Sequence, residues 1–137
     1  MKNKTLALGG LVAAFALAGV ALANDVKVTL TGAEEVPAVT TAGKGSGTIT
    51  IKDDKSVTGS VTTDGLAGVA AHIHAAPAGK NGPPVVPLTK KGENEWVVPE
   101  GAKLTDEQYA AFKSGGLYVN VHTAANKGGE IRGQLKP

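Results

Sequence analysis

Three histidines are all that this 137-residue chain contains, and their spacing brings them together. His72 and His74 stand two apart in Ala71-His72-Ile73-His74, and His122 closes Val119-Asn120-Val121-His122. Both stretches alternate apolar and polar, and in a β-strand residues i and i+2 share a face. His72 and His74 then point one way and Ile73 the other. In the second stretch Tyr118, Asn120 and His122 share a face, opposite Leu117, Val119 and Val121. If the two strands are neighbours, three imidazoles converge on one patch of sheet. Neutral imidazole is a ligand for transition metals, so metal coordination is the first chemistry to consider. The competing reading is three ordinary polar histidines on a solvated face. His-x-His alone is a weak motif, and agreement of three residues in face is what strengthens it.

The donor types narrow the metal. The chain has no cysteine, and its one methionine is Met1, so a blue-copper thiolate centre is excluded. Three nitrogens suit Cu(II) or Zn(II), and the Irving–Williams order favours copper where both are available, with zinc possible. Calcium and magnesium want oxygen ligands. Metal-bound histidines need partners for their second ring nitrogens, and Glu35, Tyr118, Asn120, Glu130 and Arg132 are the groups that could stand behind the ligands. Glu34-Glu35 otherwise reads as a pair of solvated carboxylates, and Glu130-x-Arg132 as a local ion pair on one strand face. Gly43-Lys44-Gly45-Ser46-Gly47 lacks the spacing of a phosphate loop. No nucleophile motif accompanies the histidines, so the reading leans away from an enzyme.

The elements that must hold these residues are short strands. Alternation predicts them at residues 26–31, 47–51, 56–62, 69–75, 93–98, 117–123 and 129–135, with a short edge strand at 85–88. Val69, Ala71 and Ile73 form the core side of the strand that carries His72 and His74. The histidines therefore face outward. Residues 76–87 hold Pro77, Gly79, Gly82, Pro83, Pro84 and Pro87, a composition that forms an ordered loop able to fold over them. Thr105, with Gln108 three residues on, signals a capping box and one short helix near 105–113. The class is all-β: an antiparallel Greek-key sandwich or barrel, immunoglobulin-like or superoxide-dismutase-like.

Residues 1–23 read as a cleaved signal peptide: Lys2 and Lys4, an uncharged run from Leu6 to Val20, then Ala21-Leu22-Ala23. Residues 24–137 are then one exported domain, periplasmic or secreted, with no membrane anchor after cleavage. Removing the leader's two lysines from 14 basic residues leaves a balance with the 12 acidic ones. Neither balance nor clustering suggests a nucleic-acid partner, and Lys90-Lys91 reads as a solvated loop. The partner to expect is a metal ion, and no protein partner is legible.

Several longer stretches resemble a known family. They are Leu30-Thr31-Gly32-Ala33-Glu34-Glu35-Val36-Pro37, Gly65-Leu66, Ala71-His72-Ile73-His74, Gly82-Pro83-Pro84-Val85-Val86, Leu117-Tyr118-Val119-Asn120-Val121-His122-Thr123 and Gly129-Glu130-Ile131-Arg132-Gly133-Gln134-Leu135. In this order they are similar to CHRD domains, the repeats named after chordin, which many bacteria encode as single exported copies. The resemblance implies an extracellular β-sandwich module without assigned catalysis. The three histidines also resemble the copper half of copper/zinc superoxide dismutases, whose ligands lie outside a Greek-key barrel under a long loop. This chain has no fourth histidine and no histidine and aspartate set for a bridging zinc. Three functions follow in order: an exported copper-holding or copper-delivering protein, a structural or adhesion module without metal, and a copper-dependent redox enzyme.

Overall fold

The computed structural model describes residues 23–137, so the expected leader, apart from Ala23, lies outside the described residues. Nine strands pair antiparallel among them: β1 (Ala23–Thr31), β2 (Lys44–Lys52), β3 (Val57–Asp64), β4 (Gly68–Ala75), β5 (Pro84–Pro87), β6 (Thr89–Lys90), β7 (Glu95–Val97), β8 (Leu117–Thr123) and β9 (Ile131–Leu135). A 3-10 turn at Gly32–Glu34 and one helix, α1 (Asp106–Lys113), complete the fold. The strands form one sheet in the order β5-β4-β8-β9-β1-β2-β3-β7-β6.

The two ends of that order, β5 and β6, are separated in sequence by Leu88 alone. A sheet whose first and last strands are one stretch of chain has to curl round on itself. Pro87 pairs with His72 on β4 and Thr89 with Val97 on β7. Between them Leu88 donates its N–H to the Ala71 carbonyl at 2.9 Å. Lys90 spans the same seam, its Nζ donating to the Gly68 carbonyl at 3.0 Å above the Trp96 ring. The lysine expected in a solvated loop is thus part of a strand. Of the two all-β architectures expected, the chain adopts a nearly closed barrel.

Alternation fills the interior. Val26, Val28 and Leu30 of β1, Ile49 and Ile51 of β2, Ala71 and Ile73 of β4, Leu117, Val119 and Val121 of β8, and Ile131 and Leu135 of β9 are all buried. β2 begins at Lys44, earlier than its side chains predict, because Gly45 and Gly47 have none to mark the period. Thr105 caps α1 as expected: its Oγ1 accepts from Gln108 N at 3.1 Å, and Gln108 Oε1 accepts from Thr105 N at 2.9 Å. The helix sends Phe112 fully into the core.

Val69 departs from its expected place in the core and is 61% exposed. The β4–β8 register shifts between Gly68 and Ala70, so one extra residue bulges out of the ladder. Gly68 takes the inward place, against Trp96 and Val121. No helix among the described residues is long and apolar enough to cross a membrane.

Leu88 tests the closure. In a closed wall it is a core residue, and Leu88→Ala is expected to lower unfolding free energy by about 2–5 kcal/mol in urea titrations. On an open edge strand the loss would stay under about 1 kcal/mol.

Candidate metal centre

β4 and β8 are neighbours, and their register sets His74 opposite Tyr118, His72 opposite Asn120 and Ala70 opposite His122. The strands are rigid, and their pleat sends all three imidazoles to the outer face. The ring centroids form a near-equilateral triangle, with His72–His74 5.5 Å, His72–His122 5.1 Å and His74–His122 5.6 Å. One ligand nitrogen from each lies within 4.8 Å of the others. Around a four-coordinate ion with bonds of 2.0–2.1 Å such nitrogens stand roughly 3.3 Å apart, so modest side-chain rotation completes the set.

Which nitrogens face inward follows from their partners. His74 Nδ1 lies 2.9 Å from the Gly82 carbonyl and His122 Nδ1 lies 3.0 Å from the Lys127 carbonyl. A carbonyl only accepts, so both Nδ1 atoms carry the proton and both Nε2 atoms keep a lone pair. His74 Nε2 is buried without any hydrogen-bond partner among the described residues. His72 Nδ1 lies 3.2 Å from His122 Nε2. Burial holds the pKa of His74 below the ordinary value, outweighing the bond to Gly82, and His122, His72 and Arg132 push it the same way. Burial and then the neighbouring His122 lower His72 as well. Neutral imidazole is the form that binds metal, and a buried, unpartnered lone pair is what an ion would satisfy. The residues fit the group.

The face that carries the histidines is covered on the His74 side, while His72 and His122 are partly exposed. Every residue of β8 from Leu117 to Val121 is buried, so its outward side chains lie under a second, polar layer. Residues 76–83 fold across it as the composition predicts. Gln134 Nε2 donates to the Ala76 carbonyl at 2.9 Å, Arg132 Nη2 to the Pro77 carbonyl at 3.2 Å, and Arg132 Nη1 to Asn81 Oδ1 at 3.3 Å. The Gly82 N–H donates to Tyr118 Oη at 3.1 Å. Gly82 is pressed so close to β4 that a Cβ there would collide with the Ala75 carbonyl. Asn81 Nδ2 reaches the Val36 carbonyl at 2.7 Å, joining this loop to the segment that carries Glu35. Tyr118 is stacked on His74, centroids 5.0 Å apart and planes 10° from parallel, and the Arg132 guanidinium lies 3.5 Å from the Tyr118 ring centre.

The five residues expected behind the ligands are all in this layer, in varied roles. Tyr118 touches His74 directly. Asn120 donates to Glu35 Oε1 and to the Ile131 carbonyl. Glu130 makes no ion pair with Arg132. It accepts from Thr41, Thr123 and Asn126, and these bonds outweigh its burial and hold its pKa below the usual carboxylate value. Arg132 bonds instead to neutral oxygens of Asn81, Pro77 and Gln134. The partners that orient the imidazoles are backbone carbonyls of Gly82 and Lys127. Composition signals the first of these through its glycine-rich loop. No side-chain pattern marks the second.

The family model described as CHRD domain matches residues 26–135, nearly all of the described chain. No curated protein and no solved structure matches it.

Glu35 gives this layer a measurable pH dependence. Burial raises its pKa from 4.5 to about 7, against the bond from Asn120 and the charge of Arg132. A carboxyl raised on folding stabilises fully below its unfolded value, and that contribution is lost as pH rises through the folded one. Glu35→Gln keeps an acceptor for Asn120 and cannot ionise. The variant is expected to melt above the parent at pH 8 and level with it near pH 4.5. Paired melting curves at the two pH values check this, and equal melting at pH 8 refutes it.

Proposed function

We propose that this chain, which belongs to the CHRD domain family, holds one copper ion through His72, His74 and His122 as an exported metal-buffering or metal-delivering domain. One observation carries the reading: His74 Nε2 is buried, keeps its lone pair and has no partner. An unsatisfied buried acceptor costs on the order of 1–3 kcal/mol, and it stands beside two more imidazoles. Among divalent ions the Irving–Williams order favours copper over zinc for an all-nitrogen set, and of the two only copper also has a stable monovalent ion. The leader at residues 1–23, with residues 24–137 as the exported domain, puts the protein in the periplasm or outside the cell.

His74 is the deep ligand, locked by Gly82 from behind. His122 is fixed by Lys127, and His72 closes the triangle. His72 and His122 are partly exposed, so an ion reaches and leaves the site from their side. A bound copper ion would supply an exchangeable cation with two accessible oxidation states. The residues around it orient the imidazoles and keep them neutral.

A second reading rests on the contact between His72 Nδ1 and His122 Nε2 at 3.2 Å. Two histidines that satisfy each other would suit a binding module without metal, leaving the buried His74 nitrogen as its defect.

Metal analysis of the processed protein after copper or zinc loading separates the two. One copper per chain is expected, with loss of tight binding in His74→Ala. Unchanged stoichiometry and affinity in that variant, or no retained metal in the parent, would sink the copper reading. Protons compete for the same nitrogens. Both pKa shifts are downward, so affinity is expected to hold near neutrality and fall as pH drops below about 6.5. Chelator competition at pH 7.5, 6.5 and 5.5 reads it.

A further inference from the structure

The donor set is electrically neutral. Three imidazoles form it, backbone carbonyls of Gly82 and Lys127 orient two of them, and no carboxylate bonds to any ring. The buried carboxyl and guanidinium groups of this layer are Glu35, Glu130 and Arg132. Glu130 is tied to Thr41, Thr123 and Asn126. Arg132 is different, because it reaches the site through a stack of side chains. β8 runs between β4 and β9, so the Tyr118 ring stands between the His74 imidazole on one side and the Arg132 guanidinium on the other. The guanidinium cannot lose its charge. At 1% exposure it is poorly screened by water and salt, and its hydrogen bonds all go to neutral oxygens.

A fixed positive charge one ring behind a ligand disfavours the more highly charged form of whatever cation the ligands hold. We infer that the centre holds copper preferentially as the monovalent ion, with Arg132, acting through Tyr118, as the positioning residue that sets this preference. The inference rests on the copper reading above and deepens it by naming the oxidation state of the cargo. The neutral ligand shell works in the same direction, since it offers a divalent ion no compensating anion. Glu35 works against it: its carboxyl accepts from Asn120 in the same layer, and its negative charge offsets part of that of Arg132.

The test is the midpoint potential of the copper couple in the processed protein at pH 7.5, one electron being exchanged with the electrode. Parallel affinities for Cu(I) and Cu(II) come from competing chelators. The parent is expected to lie above aqueous copper, which means tighter binding of Cu(I). Arg132→Met is expected to lower the Cu(I)/Cu(II) affinity ratio about tenfold, a fall of about 59 mV for a one-electron couple. Arg132→Lys retains the charge and most of the potential. Glu35→Gln removes an opposing charge and raises the potential. A fall in Arg132→Met with the potential kept in Arg132→Lys is a response to charge that a merely structural role for Arg132 would not produce, and Arg132→Gln supplies the neutral variant if Arg132→Met does not fold. A parent potential below aqueous copper, an unshifted potential in the folded neutral Arg132 variant, or no shift in Glu35→Gln overturns the inference while copper binding stands. Failure of the parent to bind either oxidation state removes the copper reading itself and this inference with it.

Discussion

A guanidinium on an inner strand of the sheet, 1% exposed and hydrogen-bonded only to neutral oxygens, is the constraint from which the outer half of this molecule follows. Removing a charge from water is expensive unless its donors are satisfied, and β9 alone offers only Gln134 beside it. The rest must come from elsewhere in the chain. Residues 76–83 supply the Pro77 carbonyl and Asn81 Oδ1, and the Tyr118 ring supplies its face. A loop fixed at those points has little freedom left at Gly82, whose carbonyl in turn decides which nitrogen of His74 carries the proton. The imidazole geometry thus depends on an arginine that touches none of the three histidines by hydrogen bond.

The strands therefore serve two interiors. Inside the barrel Val119 and Val121 pack on Ile73 and Ile131 as ordinary apolar core. Outside it Tyr118 and Asn120 belong to a hydrogen-bonded layer shared with Glu35, Arg132 and Gln134. Networks of this kind stabilise only when nearly every member is satisfied. Here the exception among the outward groups is His74 Nε2, at the point where the three rings meet. Placing the three imidazoles on paired strands also fixes their rotamers more firmly than a loop would.

The sequence made some of this legible and hid the rest for definite reasons. Period-two alternation put His72, His74 and His122 on outward faces because side-chain direction in a strand is set locally. The capping box at Thr105 and Gln108 was legible on the same ground. Val69 was misplaced because a bulge is a defect in pairing, and pairing involves a second strand that local pattern does not include. Gly45 and Gly47 hid the start of β2 by having no side chain to count. The loop partners of Arg132 leave no sequence signal because they are one backbone carbonyl and one side-chain amide brought over by residues 76–83. A nearby Glu130 suggested an ion pair, yet its oxygens are already committed to Thr41, Thr123 and Asn126.

The seam at Leu88 has a consequence for the chain outside its native state. Exposed strand edges recruit strands from other molecules, and a folding chain passes through a stage in which such edges exist. In the finished barrel β5 and β6 cover the free sides of β4 and β7, so the sheet offers little to recruit. Before residues 84–90 dock, both of those sides are bare at once. One stretch from the middle of the chain thus governs two opposite properties: resistance to intermolecular pairing once folding is complete, and susceptibility to it until then.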